Sequence, residues 1–297
     1  MLSKFQTNLA SENAPKFGMI AHRNFARVRP LNAIASTYSV VAHNYAFDSE
    51  NKIHSDDVAA KYGFKGGLVP GVADFAYLAR AVYDVWGQEW LGNGTMEAKF
   101  FKPIYHGESA TAHAQVAAHG LALELMNADG VVCAAGQAAL GVSEPLPRFA
   151  DYPAYVAPET EQRPAPSVSS FARGHQLGNY GYLYRTDEVN AATIERFVEV
   201  WSCADGLPVW HPAHALHDAN RALRANVMLG PWIHTGSRLQ LYGAPQDREL
   251  ISLRGTVRDS YEKRGHIMTE LDLAMFADER AIARIEHHAI IRLAGQA

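Results

Sequence analysis

The stretch of sequence that decides the fold is GGLVPGVADFAYLARAVYDVWG, residues 66–87. After its glycine-rich start, apolar residues recur with a spacing of about 3.5, which is typical of one face of an α-helix. The residues of this apolar stripe are Val72, Phe75, Ala79, Val82 and Trp86. The pattern predicts a long helix that follows the glycine-rich turn and ends at Gly87.

The segments around this helix predict a complete α+β unit. A strand, a polar loop and a short helix from Ser55 to Gly63 come before it, and strands come after it. A helix with one apolar stripe must bury that stripe, and a curled antiparallel sheet around it is the simplest arrangement. The strand signals are the alternating leucines at 121, 123 and 125, a turn at 127–130 and an apolar run at 131–140.

The second half of the chain repeats this plan. Helices are predicted at 188–200 and 216–225, and the segment 230–236 predicts the head of a second central helix, with His234 at its start. Strands follow, and the turn at 277–280 corresponds to the turn at 127–130. The two halves are therefore interpreted as a diverged internal repeat.

Prolines mark the boundary between the halves. Six of them lie between positions 145 and 166, and proline disfavours both helices and central strands. We expect an N-terminal extension at 1–31, a first unit at 32–144, a proline-rich linker at 145–175 and a second unit at 176–297. The two units can pair edge to edge in one continuous sheet, which protects two strand edges.

Composition excludes several classes of protein. The 297 residues carry a net charge of -4 without a basic run, which argues against a nucleic-acid partner. Neither a signal peptide nor a membrane span is expected, so the predicted compartment is the cytoplasm. The two cysteines form no CxxC pair, and the histidines at 211, 214 and 217 lack further ligands, so no metal is predicted.

Three segments of the first half, 51–56, 66–71 and 100–108, carry a resemblance to a known family. Their sequences, NKIHSD, GGLVPG and FKPIYHGE preceded by Phe100, resemble the motifs of MaoC-type (R)-specific enoyl-CoA hydratases. The segments 205–210 and 230–234 resemble the same motifs in the second half. The resemblance implies a double hotdog fold and a hydratase or dehydratase that acts at the α,β-bond of an acyl thioester.

The resemblance also implies roles for single residues. His54 would be the acid/base, and the amide of Gly71, at the head of the central helix, would hold the thioester oxygen, as helix N-termini hold negative charge. CoA or phosphopantetheine would be present only as part of the substrate, with no separate cofactor. The expected partner is a small acyl thioester or an acyl carrier protein, and a second copy of the chain, in a homodimer, is a further candidate partner.

The catalytic carboxylate is where this sequence departs from the family. The aspartate position is occupied by Ser49, with Asp48 and Glu50 on either side. A loop bulge would bring Asp48 or Glu50 to His54; otherwise His54 works with another group such as Asn51, or the site binds without catalysis. In the second half, Asp205 occupies the carboxylate position, whereas Trp210 occupies the histidine position and His211 lies one residue beyond. The second-half candidates are therefore Asp205, His211 and His234, the last at the start of the predicted second central helix.

These alternatives leave three functions open. The first is the hydratase or dehydratase. The second is a hotdog thioesterase, which uses the same pocket but directs water at the carbonyl carbon. The third is a non-catalytic protein that binds acyl thioesters.

Overall fold

The computed structural model describes residues 33–141, 144–199, 201 and 209–296. The first half contains β1 (Ile34–Val41), α1 (Asp56–Lys61), α2 (Gly71–Asn93), β2 (Gly94–Phe100), β3 (Ser109–Ala117), β4 (Gly120–Asn127) and β5 (Val132–Leu140). The second half contains β6 (Tyr180–Leu183), α3 (Thr186–Phe197), α4 (Ala213–Asn226), β7 (Ile233–Leu241), β8 (Leu250–Lys263), β9 (His266–Ala277) and β10 (Arg280–Arg292). Short 3-10 helices lie at Lys52–His54, Phe149–Asp151 and Thr160–Gln162.

The ten strands form one antiparallel sheet in the order β1-β3-β4-β5-β2-β7-β10-β9-β8-β6. Reading outward from the β2–β7 seam, each strand of the first half has a counterpart at the same distance in the second half. This mirror order is what a duplicated unit produces, so the predicted repeat and the α+β double hotdog fold are confirmed. At the seam, Thr95 pairs with Gln240 and Lys99 pairs with Gly236.

Helix α2 is the core of the first unit. Its residues Val72, Phe75, Leu78 and Val82 are fully buried, because the helix packs on β1 to β5, on β7 and on α4. The predicted start after Pro70 is confirmed, and so is the predicted end, because a kink interrupts the helix at Gly87. At Gly87 the chain adopts a φ of 56°, which glycine tolerates, and the helix resumes to Asn93.

The second central helix differs from its prediction. It is α4, at Ala213–Asn226, whereas the segment predicted to begin that helix lies in the loop before strand β7 and in the strand itself. His234 therefore lies on a strand, and its side chain is buried in the sheet face that packs on α2.

The segment after β5 crosses the sheet face opposite the helices. Phe149 and Tyr152 pack edge-on against Phe276 with ring centroids 5.1 and 5.6 Å apart, and Arg254 lies 3.9 Å from the Phe149 ring centroid. None of the described helices is long and apolar enough to cross a membrane. The predicted extension 1–31 lies outside the described residues.

Candidate functional site

His54 lies in the loop between β1 and α2, against the segment that leads into α2. Its Nδ1 is 2.7 Å from the carbonyl oxygen of Leu68, and its Nε2 is 3.2 Å from Nδ2 of Asn51. Since a carbonyl oxygen only accepts, Nδ1–H is the donor and Nε2 carries the lone pair that accepts from the Asn51 amide. Burial lowers the pKa of His54 to about 4, so the ring is neutral at pH 7.

Two hydrogen bonds fix the His54 loop, one to the segment after β1 and one to the segment that leads into α2. The side chain of Asn44 donates to the carbonyl of His54 at 2.8 Å. The amide of Gly67 donates to Asp56 Oδ1 at 2.7 Å. A Cβ at Gly67 would lie 2.0 Å from the His54 oxygen, so only glycine permits this approach.

Asn51 also connects the two halves. Its Nδ2 donates to the carbonyl of Trp232 at 3.0 Å, and its Oδ1 accepts from the amide of Trp232 at 3.2 Å. Asn51 and Trp232 are 8% and 4% exposed. This buried two-point contact sets the His54 loop beside the start of strand β7.

The head of α2 carries free hydrogen-bond donors. The N-cap residue is Pro70, which offers no side-chain cap, and its carbonyl accepts from the amides of Ala73 and Asp74. In the described part of the chain, the amides of Gly71 and Val72 have no acceptor. Helix N-termini with unpaired N–H groups attract electron-rich oxygens.

Gly71 is enclosed by residues from the seam. A Cβ at this position would lie 3.0 Å from the ring of Phe100, at the end of β2, and 3.2 Å from Nδ1 of His234. The His234 and Phe100 rings meet edge-on with centroids 5.0 Å apart. The second half therefore contributes a side chain to the head of α2.

His234 belongs to a buried polar chain at the seam. Its Nε2 lies 3.1 Å from the carbonyl of Gly236 and 2.8 Å from Oγ of Ser237. Ser237 Oγ in turn lies 3.0 Å from Nδ1 of His287, and the two imidazoles stack at 4.3 Å. Burial lowers the pKa of His234 to about 3 and that of His287 well below its usual value, so both rings are neutral.

Helix α4 begins differently. His211 Nε2 lies 2.8 Å from Oε1 of Glu199, and both side chains are buried. Nδ1 of His211 accepts from the amide of Ala213 at 3.1 Å, and its carbonyl accepts from the amide of His214 at 3.1 Å. The first donors of α4 are thus satisfied within the protein.

Several predicted site residues lie elsewhere. Asp48 is exposed, and Glu50, whose side chain is 81% exposed, pairs with Arg224 on α4 at 2.6 Å. The loop bulge that would bring either carboxylate to His54 is absent from the described residues, since both ring nitrogens of His54 already have other partners.

The second-half candidates also need correction. His211 directly precedes α4, so it corresponds to Val69 rather than to His54 and serves as a capping side chain. His234 comes from strand β7 rather than from a helix start. Asp205 lies outside the described residues.

Two features were missed by sequence reasoning. Asp74, in the first turn of α2, is 3% exposed, and its Oδ1 has no hydrogen-bond partner in the described part of the chain. Burial raises the pKa of the Asp74 carboxyl well above its usual value, which favours its protonated form. Ser237 was missed as well; its alternation with Leu239 and Leu241 on an inward face was the available signal.

A cleft of about 640 Å³ opens beside the His54 loop. Lys65 at its edge pairs with Glu108 and lies 4.3 Å from the centroid of the Tyr105 ring. The cleft is lined by Asn44, Phe47, Asp56, Lys65, Gly66, Gly67, Tyr105, His106 and Glu108. The cleft borders the loop that holds His54, but its lining residues include neither His54 nor Gly71.

Comparisons with known proteins agree on the fold. No protein-family profile matches the chain, nor does any curated protein sequence. Among solved structures it is similar to a MaoC-like dehydratase, at 13% identity over 88% of this chain and 98% of that one, with a TM-score of 0.57. It is also similar to a protein of Chloroflexus aurantiacus described as a MaoC-domain dehydratase, at 11% identity over 96% and 100% of the two chains, with a TM-score of 0.60.

A third similar structure is a conserved hypothetical protein of Mycobacterium tuberculosis with a double hotdog fold. Its identity to this chain is 12%, over 87% of this chain and 96% of that one, with a TM-score of 0.55. Structural neighbours of this chain thus include MaoC-like dehydratases and double hotdog proteins. At these identities the similarity establishes the fold, and the chemistry must be argued from the site.

Proposed function

We propose that this chain binds an acyl thioester at the head of α2 and catalyses hydration or dehydration at its α,β-bond. The observation that carries the proposal is the pair of amides, Gly71 and Val72, at the N-terminal end of α2, which have no acceptor among the described residues. Removal or addition of a proton at the α-carbon builds negative charge on the thioester oxygen, and preorganised donors stabilise that charge. Two structural neighbours described as dehydratases support this reading.

His54 is the proposed acid/base. The lone pair on its Nε2 accepts a hydrogen bond from the side-chain amide of Asn51. A substrate hydroxyl or a water molecule can replace Asn51 as the donor. Because the ring is neutral at pH 7, it can accept a proton without first losing one. The acyl group would arrive on CoA or on the phosphopantetheine of a carrier protein.

A second candidate is a protein that binds acyl thioesters without turning them over. The observation that favours it is that His54 has partners on both ring nitrogens and neither of them is a carboxylate. A carboxylate partner would raise the basicity of the imidazole, and Asn51 does not.

Enoyl-CoA absorbance tests the proposal directly. Crotonyl-CoA absorbance should fall with the wild-type chain, and His54→Ala should lower the rate by at least about 100-fold, the usual contribution of a general acid/base. His119→Ala, which removes an exposed imidazole at the β3–β4 turn, is the matched control and should retain the wild-type rate.

The other functions give different results in the same assay. Release of free thiol from an acyl-CoA would indicate a thioesterase. A rise in melting temperature with CoA thioesters, without change in absorbance or thiol, would indicate a binding protein. Either result would refute the hydratase proposal.

A further inference from the structure

We infer that His234, a residue of the second half, is a binding residue of this site, and that its Nδ1 accepts a hydrogen bond from a substrate hydroxyl. That hydroxyl is the 3-hydroxyl of the hydrated acyl chain or the water that becomes it. The inference rests on the proposed function, which it extends across the seam between the halves.

The first observation is an unsatisfied acceptor. His234 is 6% exposed, and its Nδ1 has no hydrogen-bond partner in the described part of the chain. Buried polar atoms are nearly always paired, so an unpaired one indicates a ligand or a functional role. This nitrogen lies 3.2 Å from the position that a Cβ of Gly71 would take, so it faces the head of α2.

The protonation of the ring follows from its other contacts. Nε2 lies 3.1 Å from the carbonyl of Gly236, and a carbonyl can only accept. Nε2 therefore carries the hydrogen, and Nδ1 of the neutral ring carries a lone pair. The free atom at the head of α2 is thus an acceptor, next to the free donors of Gly71 and Val72.

This combination selects the chemistry of the ligand. An anionic group would gain from the two amides but would meet the lone pair of His234. A neutral ligand with an acceptor oxygen and a nearby hydroxyl satisfies both. By standard backbone geometry, Nδ1 of His234 lies within about 6 Å of the Gly71 nitrogen. One ligand can therefore accept a hydrogen bond of about 2.9 Å from Gly71 with a carbonyl on carbon 1 and donate another to His234 from a hydroxyl on carbon 3.

The seam holds the ring in place for this role. Ser237 contacts Nε2 at 2.8 Å, His287 stacks on the ring, and Phe100 meets it edge-on. A side chain fixed on three sides loses little rotamer freedom when a ligand binds. His234 is therefore oriented before the substrate arrives.

Calorimetry with unreactive ligands tests the inference. The probes are amide analogues of 3-hydroxybutyryl-CoA, butyryl-CoA and 3-oxobutyryl-CoA, in which nitrogen replaces the thioester sulfur and weakens the acidity at carbon 2. The wild-type chain should bind the hydroxy analogue about 5- to 10-fold more tightly than the butyryl analogue, as one added hydrogen bond gives. The oxo analogue, which cannot donate, should show no such preference.

Variants assign the preference to His234. His234→Leu should bind the hydroxy and butyryl analogues equally, whereas His234→Asn, whose Oδ1 falls near the place of Nδ1, should retain part of the preference. Thr235→Val, on the same strand with its hydroxyl bonded to the His288 carbonyl, is the control and should keep the full preference. If His234→Leu does not fold, the test rests on His234→Asn and on the affinities of the wild-type chain for the three analogues.

The outcomes separate the inference from the proposed function. Equal binding of the hydroxy and butyryl analogues by the wild-type chain, or an unchanged preference in His234→Leu, would overturn the role of His234 while thioester binding stands. Absence of binding by all three analogues to the wild-type chain would instead refute the proposed function itself, and the inference with it.

Discussion

The two central helices both begin directly after a proline N-cap, but their first amides are satisfied differently. Helix α2 follows Val69-Pro70 and starts at Gly71, whereas α4 follows His211-Pro212 and starts at Ala213. In α4 the imidazole of His211 accepts the first amide and is itself held by Glu199. In α2 the residue at the corresponding place is valine, and the first two amides have no acceptor among the described residues.

The difference indicates that the two helix N-termini have different roles. Unpaired amides at a buried helix end cost free energy unless a ligand or solvent satisfies them. The second half avoids that cost with its own side chains, so its helix head is structural. Among the described residues, the first half leaves its donors without an acceptor. The second half places His234 next to Gly71 and fixes Asn51 through the backbone of Trp232.

The largest expected effect comes from making the head of α2 resemble that of α4. Gly71→Ala places a methyl group 3.0 Å from the Phe100 ring and 3.2 Å from His234, in the space proposed for the ligand. The amide N–H remains, but the methyl group would keep the thioester oxygen away from it. The rate of crotonyl-CoA hydration should fall by up to about a thousandfold, as much as when an oxyanion donor is lost. The reverse change, Ala213→Gly, should leave the rate within about twofold and lower the free energy of unfolding by at most about 1 kcal/mol. A Gly71→Ala variant with wild-type turnover would contradict the assignment.

The next largest effect concerns the head of α4. His211→Ala removes the closer of two partners of the buried Glu199 and leaves Arg80, whose Nη1 lies 3.7 Å from Oε2 of Glu199. Because breaking a buried pair completely costs about 3 kcal/mol or more, we expect a loss of at most about 3 kcal/mol. Urea unfolding should show this loss, while the folded variant should keep its affinity for a CoA thioester. A large loss of affinity without a loss of stability would mean that α4 contributes to binding, which would reverse the comparison.

Much of the structure around α2, in the first half of the chain, could be predicted from the sequence. The apolar stripe and the Pro70-Gly71 start predicted α2 correctly, because local periodicity determines where a helix begins. The interruption of α2 at Gly87 was predicted too. The second helical segment that follows it was not predicted, because only the fold buries Trp90 and Leu91. In the second half, the resemblance of 230–234 to a family motif led to a central helix predicted after residue 230, whereas that helix is α4, at Ala213–Asn226. The alternating pattern in 233–241 is typical of a strand and indicated the correct structure.

The candidate site was predicted only in part. His54 and Gly71 were found because each lies in a short segment, 51–56 or 66–71, that resembles a family motif. The partners of that motif could not be found, because Asn51 contacts Trp232 across 181 positions of the chain. His234 came from a wrong helix assignment, and only the pairing of β2 with β7 explains why it reaches Gly71.

The pH dependence of turnover would sharpen the comparison further. Burial lowers the pKa of His54 to about 4 from 6.5, and the active form is neutral, so activity should be lost only as pH falls through that lower value. We expect kcat/KM to change by less than about twofold from about pH 8 to about pH 5, whereas an unperturbed imidazole would lose about 30-fold. An inflection near the ordinary histidine pKa in the pH–rate profile would mean that the base is more exposed than His54 is.

The smallest expected effect concerns the two carboxylates beside the family's aspartate position. Asp48 is exposed and Glu50 is paired with Arg224, so neither is expected to share the proton of His54. Asp48→Asn and Glu50→Gln should each leave kcat/KM within about twofold, and loss of the exposed Glu50 pair should lower the free energy of unfolding by at most about 0.5 kcal/mol. A drop of about a hundredfold in either variant, with an unchanged melting temperature, would show that the loop rearranges around substrate to form a carboxylate–imidazole dyad.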